Sequence, residues 1–543
     1  MNVQQPLDDN NNKSISLIKR PYSWPWWTEF DLLSPFKAVL KHAPLLLECT
    51  SRTEPWLVSR RRSIIEDLPD EILVEIFARM GWRDILSSQQ TCKRLFEIST
   101  ARALWVSLFG RLSFESMHPP LLERPITTYT AEQLRTVVLK YISSEVNFAT
   151  HLPPRTRTLP TERFRINEND FILLEGGRWL LLSSLPMGPG RVFAYDLDKP
   201  LSQEPQCIID CGVHDSTVPW SLEADLDRNE PSLTYNLCFM PFGTLQNGYD
   251  EAGVEDEVQI PNAPVALTDT YVYRVTPKGQ GSDAMLEAHK IRTIHGTWGV
   301  TYLSIGLRGH YLARLVKYRP SGTYCIEICN WFLSDSCSHL KSYIFSENAE
   351  DIYDLLPLPD GRLLTVSTSS AALYDITDLH SLPCGKVDKN KATLQPYWRS
   401  KFEFSRVHVS KLYFDPRTDT MRVAIAAKGN LYGLVIPREN IAPSLQRICR
   451  SDLAASPKGF LGIDKTCDLE QQPIIKTSTF VWPDQEHHVG STLLPLIPRS
   501  SEYTNQTDTK CIFPPLFDER SNRAFILGFC VWTVVDYAAY PPD

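Results

Sequence analysis

The sequence predicts a multidomain chain: a small all-α module toward the N-terminus, then a large all-β domain. Three observations predict it. Residues 63 to about 148 carry apolar residues at helical spacing. From about residue 160, short runs rich in Val, Ile, Leu and aromatic residues alternate with turn residues. Proline is frequent, 40 against 25 glycines, which suits short strands and loops better than long helices. At 543 residues the chain exceeds one core, and two to four units are expected.

In the helical part, Ile72, Leu73, Ile76, Phe77 and Met80 predict one helix. Pro69 falls in its first turn, where a missing N–H costs nothing. Asp70 and Glu71 suit the positive end of the helix dipole. Gly81 is expected to stop this helix and Asp84 to cap the next. Thr130-Ala131-Glu132-Gln133 fits a capping box, followed by the apolar stripe Leu134, Val137, Val138, Tyr141 and Ile142.

The β half contains Trp179-Leu180-Leu181-Leu182, Tyr271-Val272-Tyr273, Tyr324 to Ile328 and Met421 to Ile425. It also holds a weak repeat. Gly176-Gly177-Arg178-Trp179-Leu180 runs to Tyr195-Asp196. Asp360-Gly361-Arg362-Leu363-Leu364 runs to Tyr374-Asp375. Ser521-Asn522-Arg523-Ala524-Phe525 runs to Val535-Asp536. Arg362 to Asp375 and Arg523 to Asp536 each span 13 positions, and Arg178 to Asp196 spans 18. Tight turn, strand, strand, acidic turn resembles the inner hairpin of a propeller blade. The anchors lie 184 and 161 positions apart. With blades of roughly 40–50 residues, each gap holds three or four. The expected architecture is a β-propeller of about seven blades, which leaves few open strand edges. The alternatives are a pair of β-sandwiches and a leucine-rich solenoid, whose Leu-x-x-Leu-x-Leu pattern is missing.

Composition narrows the partners. A net charge of −8 argues against nucleic acid or an anionic membrane as the main partner. Met1 to Ser16 is polar with no apolar signal core, and no apolar run reaches the ~18 residues a membrane helix needs. The 13 cysteines are scattered singly. These features fit a reduced protein of the cytoplasm or nucleus, in which the Asn12 and Asn505 sequons carry no glycan. Residues 1–60 read as a partly disordered tail with an aromatic patch, Trp24, Trp26, Trp27 and Phe30, broken by Pro21 and Pro25. The patch suits docking on the main domain or on a partner. Arg60-Arg61-Arg62 reads as a solvated linker.

No catalytic, cofactor or metal site is expected. Cys207 and Cys211, and Cys325 and Cys329, are four apart, but a zinc site needs two clustered pairs, and buried thiols are the better reading. His487-His488 is a loop dipeptide. Gly279-Gln280-Gly281-Ser282-Asp283-Ala284 imitates a dinucleotide loop without the βαβ context and reads as a hairpin loop. Hydrolase and phosphate-loop motifs are absent. Asp250 to Glu257 reads as an acidic solvated insertion, or as a rim loop that attracts a basic segment.

One string carries the function. Leu68-Pro69-Asp70-Glu71-Ile72-Leu73-Val74-Glu75-Ile76-Phe77 is followed by Asp84-Ile85-Leu86, by Thr91-Cys92-Lys93-Arg94-Leu95-Phe96 and by Leu104-Trp105. In order and spacing this resembles the F-box along about fifty residues. The resemblance implies helices that pack onto a Skp-type adaptor and, through it, a cullin scaffold. By match to the motif, Leu68, Pro69, Ile72, Ile76 and Phe77 are the expected anchors, with Ile85 and Leu86 in the same surface. Cys92, Leu95 and Trp105 are expected to knit the module together. Ser87, Ser88, Gln89 and Gln90 depart from the family's aliphatic pattern. With the hairpins behind it, the chain looks like fungal F-box proteins with a divergent propeller; the Gly-His and Trp-Asp marks of WD repeats are missing. The expected domains are the tail at 1–60, the F-box at 61–112, a helical linker at 113–155 and the propeller-like domain at 156–543. The expected role is a non-catalytic substrate receptor of a cullin-type ubiquitin ligase, its protein target unread. A scaffold outside any ligase is the first alternative. A propeller-type hydrolase is the second, and perturbed carboxylates or histidines in the central channel would favour it.

Overall fold

The computed structural model describes residues 67–538 apart from intervening stretches, the longest being 161–170, 242–268, 384–393 and 480–501. The aromatic tail, the acidic run from Asp250 to Glu257 and His487-His488 lie outside the described residues.

Five helices open the described chain: α1 (Asp70–Arg79), α2 (Trp82–Gln89), α3 (Lys93–Ser99), α4 (Arg102–Glu115) and α5 (Ala131–Thr150). Leu73, Phe77 and Ala78 of α1, Ile85 of α2, Ile98 of α3 and Leu104, Trp105, Leu108 and Leu112 of α4 are buried. Each set falls on one helical face. Two side chains of α4 finish its neighbours. The Trp105 indole donates to Ser99 O at the end of α3 (2.8 Å), and Arg111 Nη1 donates to Ala78 O near the end of α1 (2.7 Å). These carbonyls would otherwise be orphans of the last turn. Helix punctuation differs slightly from expectation. Pro69 is the N-cap of α1, Gly81 precedes α2 with ordinary negative φ, and Asp84 lies in the first turn of α2. There its charge meets the dipole without capping. The capping box of α5 forms in both directions, Gln133 N to Thr130 Oγ1 at 3.2 Å and Thr130 N to Gln133 Oε1 at 3.0 Å.

The rest is all-β. Four antiparallel sheets follow in chain order as blade 1 (171–210), blade 2 (220–294), blade 3 (300–344) and blade 4 (352–401). Leu382–Pro383 adds a short fifth strand to the edge of blade 3. Blade 5 spans 407–450. The closing blade combines Leu516–Asp518, Arg523–Leu527 and Val531–Asp536 with Arg155–Pro160 from ahead of blade 1. First strands are innermost: Phe171–Leu173 meets both Trp220–Leu226 and Leu516–Asp518, and Val300–Arg308 meets Ile352–Leu358. The contact between the closing blade and blade 1 shuts the ring. Six blades have described cores. A four-stranded sheet spanning 454–506, between blade 5 and the closing blade in chain order, is described by its backbone alone.

Apolar cores lie between successive blades. Leu181, Trp220, Leu237 and Val275 join blades 1 and 2, and Leu312, Val316, Val272 and Cys325 join blades 2 and 3. Leu180, Leu182, Phe525 and Trp532 join blade 1 to the closing blade. Blades 3 and 4 approach so closely at Gly306 that a Cβ there would lie 2.0 Å from Leu355 O. The repeated hairpins prove to be the second and third strands of their sheets, not the innermost pair. In two of them the Arg and Asp pair across the hairpin: Arg178 with Asp196 at 2.7 Å, and Arg523 with Asp536. Arg362 instead turns back to Asp360 of its own turn.

Candidate functional site

The helical module buries its core and leaves a second apolar set open. Phe77 is 4% exposed, Ile85 0% and Trp105 1%, so these three face inward. Ile72, Leu86 and Leu95 are half-buried, as is Leu68, and Pro69 is exposed. Ile76 is 42% exposed, with Phe96 at 49% and Phe114 at 55%. Cys92, expected to knit the module, is exposed because it is the N-cap of α3, with its side chain outside the helix. Periodicity missed Phe96 and Phe114. Gln89, a departure from the family pattern, accepts from Arg135 of α5 at 3.3 Å, so that its polarity ties α2 to the next helix.

The module is seated on the ring through the segment 118–129 and α5. Leaving α4, Ser116 meets Tyr141 of α5 by a hydroxyl–hydroxyl hydrogen bond. The chain then crosses the ring. His118 lies against Tyr413 of blade 5, ring centroids 4.5 Å apart. Pro119 O accepts from Arg520 Nη1 of the closing blade at 2.8 Å. Glu123 meets Arg178 of blade 1 at 2.5 Å, and its carbonyl accepts from Leu233 N of blade 2 at 3.3 Å. The segment returns to the helices where Arg102 donates to Ile126 O and Tyr129 O. Helix α5 then settles on the rim. Asn522 Nδ2 donates to Ser144 Oγ and to Glu145 Oε1, Asn147 donates to Tyr537 O, and Lys140 meets Asp198. Blades 5 and 2 lie far apart around the ring, so 118–123 spans one mouth of the central channel.

Charged side chains fill the channel beneath this strap. Glu175 binds Arg520 at 3.1 Å, and Asp225 binds Arg308 at 2.9 Å while accepting from Gly309 N at 2.7 Å. Lys411 Nζ of blade 5 reaches Leu173 O of blade 1 at 2.9 Å. Burial pushes the Glu175 carboxyl up, but Arg520, Arg228, Arg308 and Lys411 together pull it well below the usual carboxylate range. Burial, with Arg308 and Arg520 alongside, lowers Arg228 to about 10. Glu223 of blade 2 goes the other way: burial and then Asp354 raise it to about 8. Burial raises Asp354 of blade 4 to about 6. Glu223 and Asp354 lie on the inner strands of blades 2 and 4, and no local sequence pattern links them.

A family model described as F-box-like matches residues 65–111. The chain carries an F-box-like domain. The model covers α1, α2, α3 and most of α4, and the strap leaves directly from its end. No curated protein matches the sequence. Among solved structures, a chain of a mitotic checkpoint complex is 10% identical, with TM-score 0.37, over 71% of this chain and 94% of its own. AztD of Citrobacter koseri is 10% identical, with TM-score 0.31, over 63% and 73%. An uncharacterized protein of Listeria monocytogenes is 10% identical, with TM-score 0.31, over 68% and 91%. The propeller is therefore read from its own strand pairing. Behind the F-box-like domain, no helix among the described residues is long and apolar enough to cross a membrane.

Proposed function

We propose that this chain is the substrate receptor of a cullin-type ubiquitin ligase, docking a Skp-type adaptor through the F-box-like domain and holding a protein target on the propeller. Such a receptor works in the cytoplasm or nucleus. The observation that carries the proposal is the open set Ile76, Phe96 and Phe114 on a module whose own core is already complete. Large apolar side chains left in water beside a closed core mark a protein interface. A few such anchors dominate an interface of roughly 1,600 Å². The ligase then accelerates transfer by proximity, with no side-chain chemistry on this chain.

Capture of the adaptor by the full chain tests this. The double variant Ile76→Asp, Phe96→Asp should lose adaptor binding by roughly 100-fold or more, while its circular dichroism stays unchanged because both side chains are exposed. Phe77→Asp is unsuitable, since Phe77 belongs to the module's core. Adaptor capture equal to wild type would remove the proposal. Adaptor without cullin would mark a scaffold instead.

A second reading takes its support from Glu223 and Asp354. Carboxylates with raised pKa values suit general acid–base hydrolysis. Turnover of chromogenic glycosides or esters by the full chain, lost in Glu223→Gln, would establish a propeller hydrolase.

A further inference from the structure

The outer rim of the ring carries a long open strand edge. Met285–Ile294 is the last strand of blade 2, 10 residues long, and among the described residues it pairs only with Thr270–Lys278. On blade 3 the matching edge is covered by Leu382–Pro383. An open edge is a template for an extended peptide.

One side chain already pairs with this edge. The Gln206 carboxamide, from the outer strand of blade 1 (Gln206–Asp210), donates to Leu286 O at 2.7 Å and accepts from Leu286 N at 3.0 Å. It imitates one residue of an added strand. Leu286 therefore turns its N–H and C=O away from Thr270–Lys278. Backbone direction alternates along an antiparallel strand. The register runs unbroken from Met285 to Lys290, so Ala288 and Lys290 turn their N–H and C=O the same way as Leu286. Neither has a partner on that side among the described residues.

Next along the two outer strands, a cavity of about 330 Å³ lies between them. Ala288 and Lys290 line one side, with Tyr271 and Tyr273 of the adjoining strand, and Asp210 and Cys211 line the other. The Tyr273 hydroxyl lies 3.6 Å from Cys211 Sγ. Asp210 is neutralised by Arg191 at 2.8 Å. Lys290 is not: it has no ion pair among the described residues. Lysines on open edges commonly blunt them. This one is drawn toward the Tyr271 ring, Nζ 5.8 Å from its centroid, and so leaves an uncompensated cation in the cavity.

We propose that this cavity receives an extended acidic segment of a target protein, added as a strand to the outer edge of blade 2, with an aspartate or glutamate carboxylate on Lys290. This rests on the receptor reading and names its target chemistry. The segment's backbone takes up Ala288 and Lys290 as Gln206 takes up Leu286. Its carboxylate accepts from Lys290 Nζ and from the Tyr273 hydroxyl, the two donors that face the cavity beside the open edge.

Fluorescence anisotropy on the full chain tests the slot. The probes are three labelled peptide pools, randomised among Thr, Val, Ser and Tyr and differing only in a fixed central residue: Glu, Ala or Lys. The Glu pool should bind at least tenfold more tightly than the other two. Lys290→Glu, at an exposed position, should reverse the order of the Glu and Lys pools. Equal binding of the Glu and Ala pools would overturn the slot, as would an unchanged order in the variant. Amide exchange on wild type reads the pairing itself: with the Glu pool bound, the Ala288 and Lys290 amides should exchange at least tenfold more slowly. Unchanged exchange there would overturn strand addition. Adaptor capture is scored on the same preparations. Adaptor bound without pool selectivity sinks the slot alone, whereas pool selectivity without adaptor sinks the ligase reading alone.

Discussion

At the scale of single residues, Glu223 sets a pH dependence whose sign follows from its environment. Its carboxyl titrates near 8 in the folded chain against 4.5 when unperturbed, so the folded state binds the proton more tightly than the unfolded one. The favourable contribution is present in full below the unfolded value and is lost as pH rises through about 8. Glu223→Gln should therefore melt at a higher temperature than wild type at pH 9 and at nearly the same temperature at pH 4. The gain at pH 9 should be roughly 2–4 kcal/mol. Wild type and variant with parallel stability curves across that range would show that Glu223 is hydrated. Asp415 has a partner. It and Arg422 are both 0% exposed and 3.2 Å apart. Asp415→Ala leaves a guanidinium buried without that carboxylate and should cost about 3–5 kcal/mol in denaturant unfolding.

At the scale of elements, the strap depends on Arg520, which joins Pro119 O to Glu175. Arg520→Ala should raise amide exchange across 118–123 about tenfold or more while exchange in blades 2–4 stays slow. Protection unchanged in the strap would mean that His118 on Tyr413 and Glu123 on Arg178 hold it unaided. The sequence shows why some of this was readable and some was not. The capping box at Thr130, the stripe of α5 and the Arg–Asp hairpins at 178 and 523 depend on neighbours a few to eighteen positions apart, and pattern exposes such pairs. The broad apolar stripe of α1 did not reveal that Phe77 turns inward and Ile76 outward, because adjacent residues of a wide stripe differ only by where the next helix lies. Glu223 and Asp354 are 131 positions apart on the inner strands of blades 2 and 4, so nothing local marked them out among 64 acidic residues.

At the scale of the whole molecule, ring closure links the F-box-like domain to the propeller. Arg155–Pro160 follows α5 directly in the chain and pairs with Val531–Asp536 through six register positions. Arg157 reinforces it, with Nη2 on Asp536 Oδ2 at 2.8 Å and on Leu197 O at 2.6 Å. Without this strand, Val531–Asp536 becomes an open edge, a template for pairing with another chain. A fragment spanning 153–543 retains the strand and a fragment spanning 161–543 lacks it; both lack the helices. The shorter fragment should melt at least several degrees lower and elute partly as aggregate, and a peptide covering 153–160 added in trans should recover part of the loss. Identical melting of the two fragments would show that the blades close without the strand. The comparison separates closure from the helical seat, since α5 and the strap are missing from both.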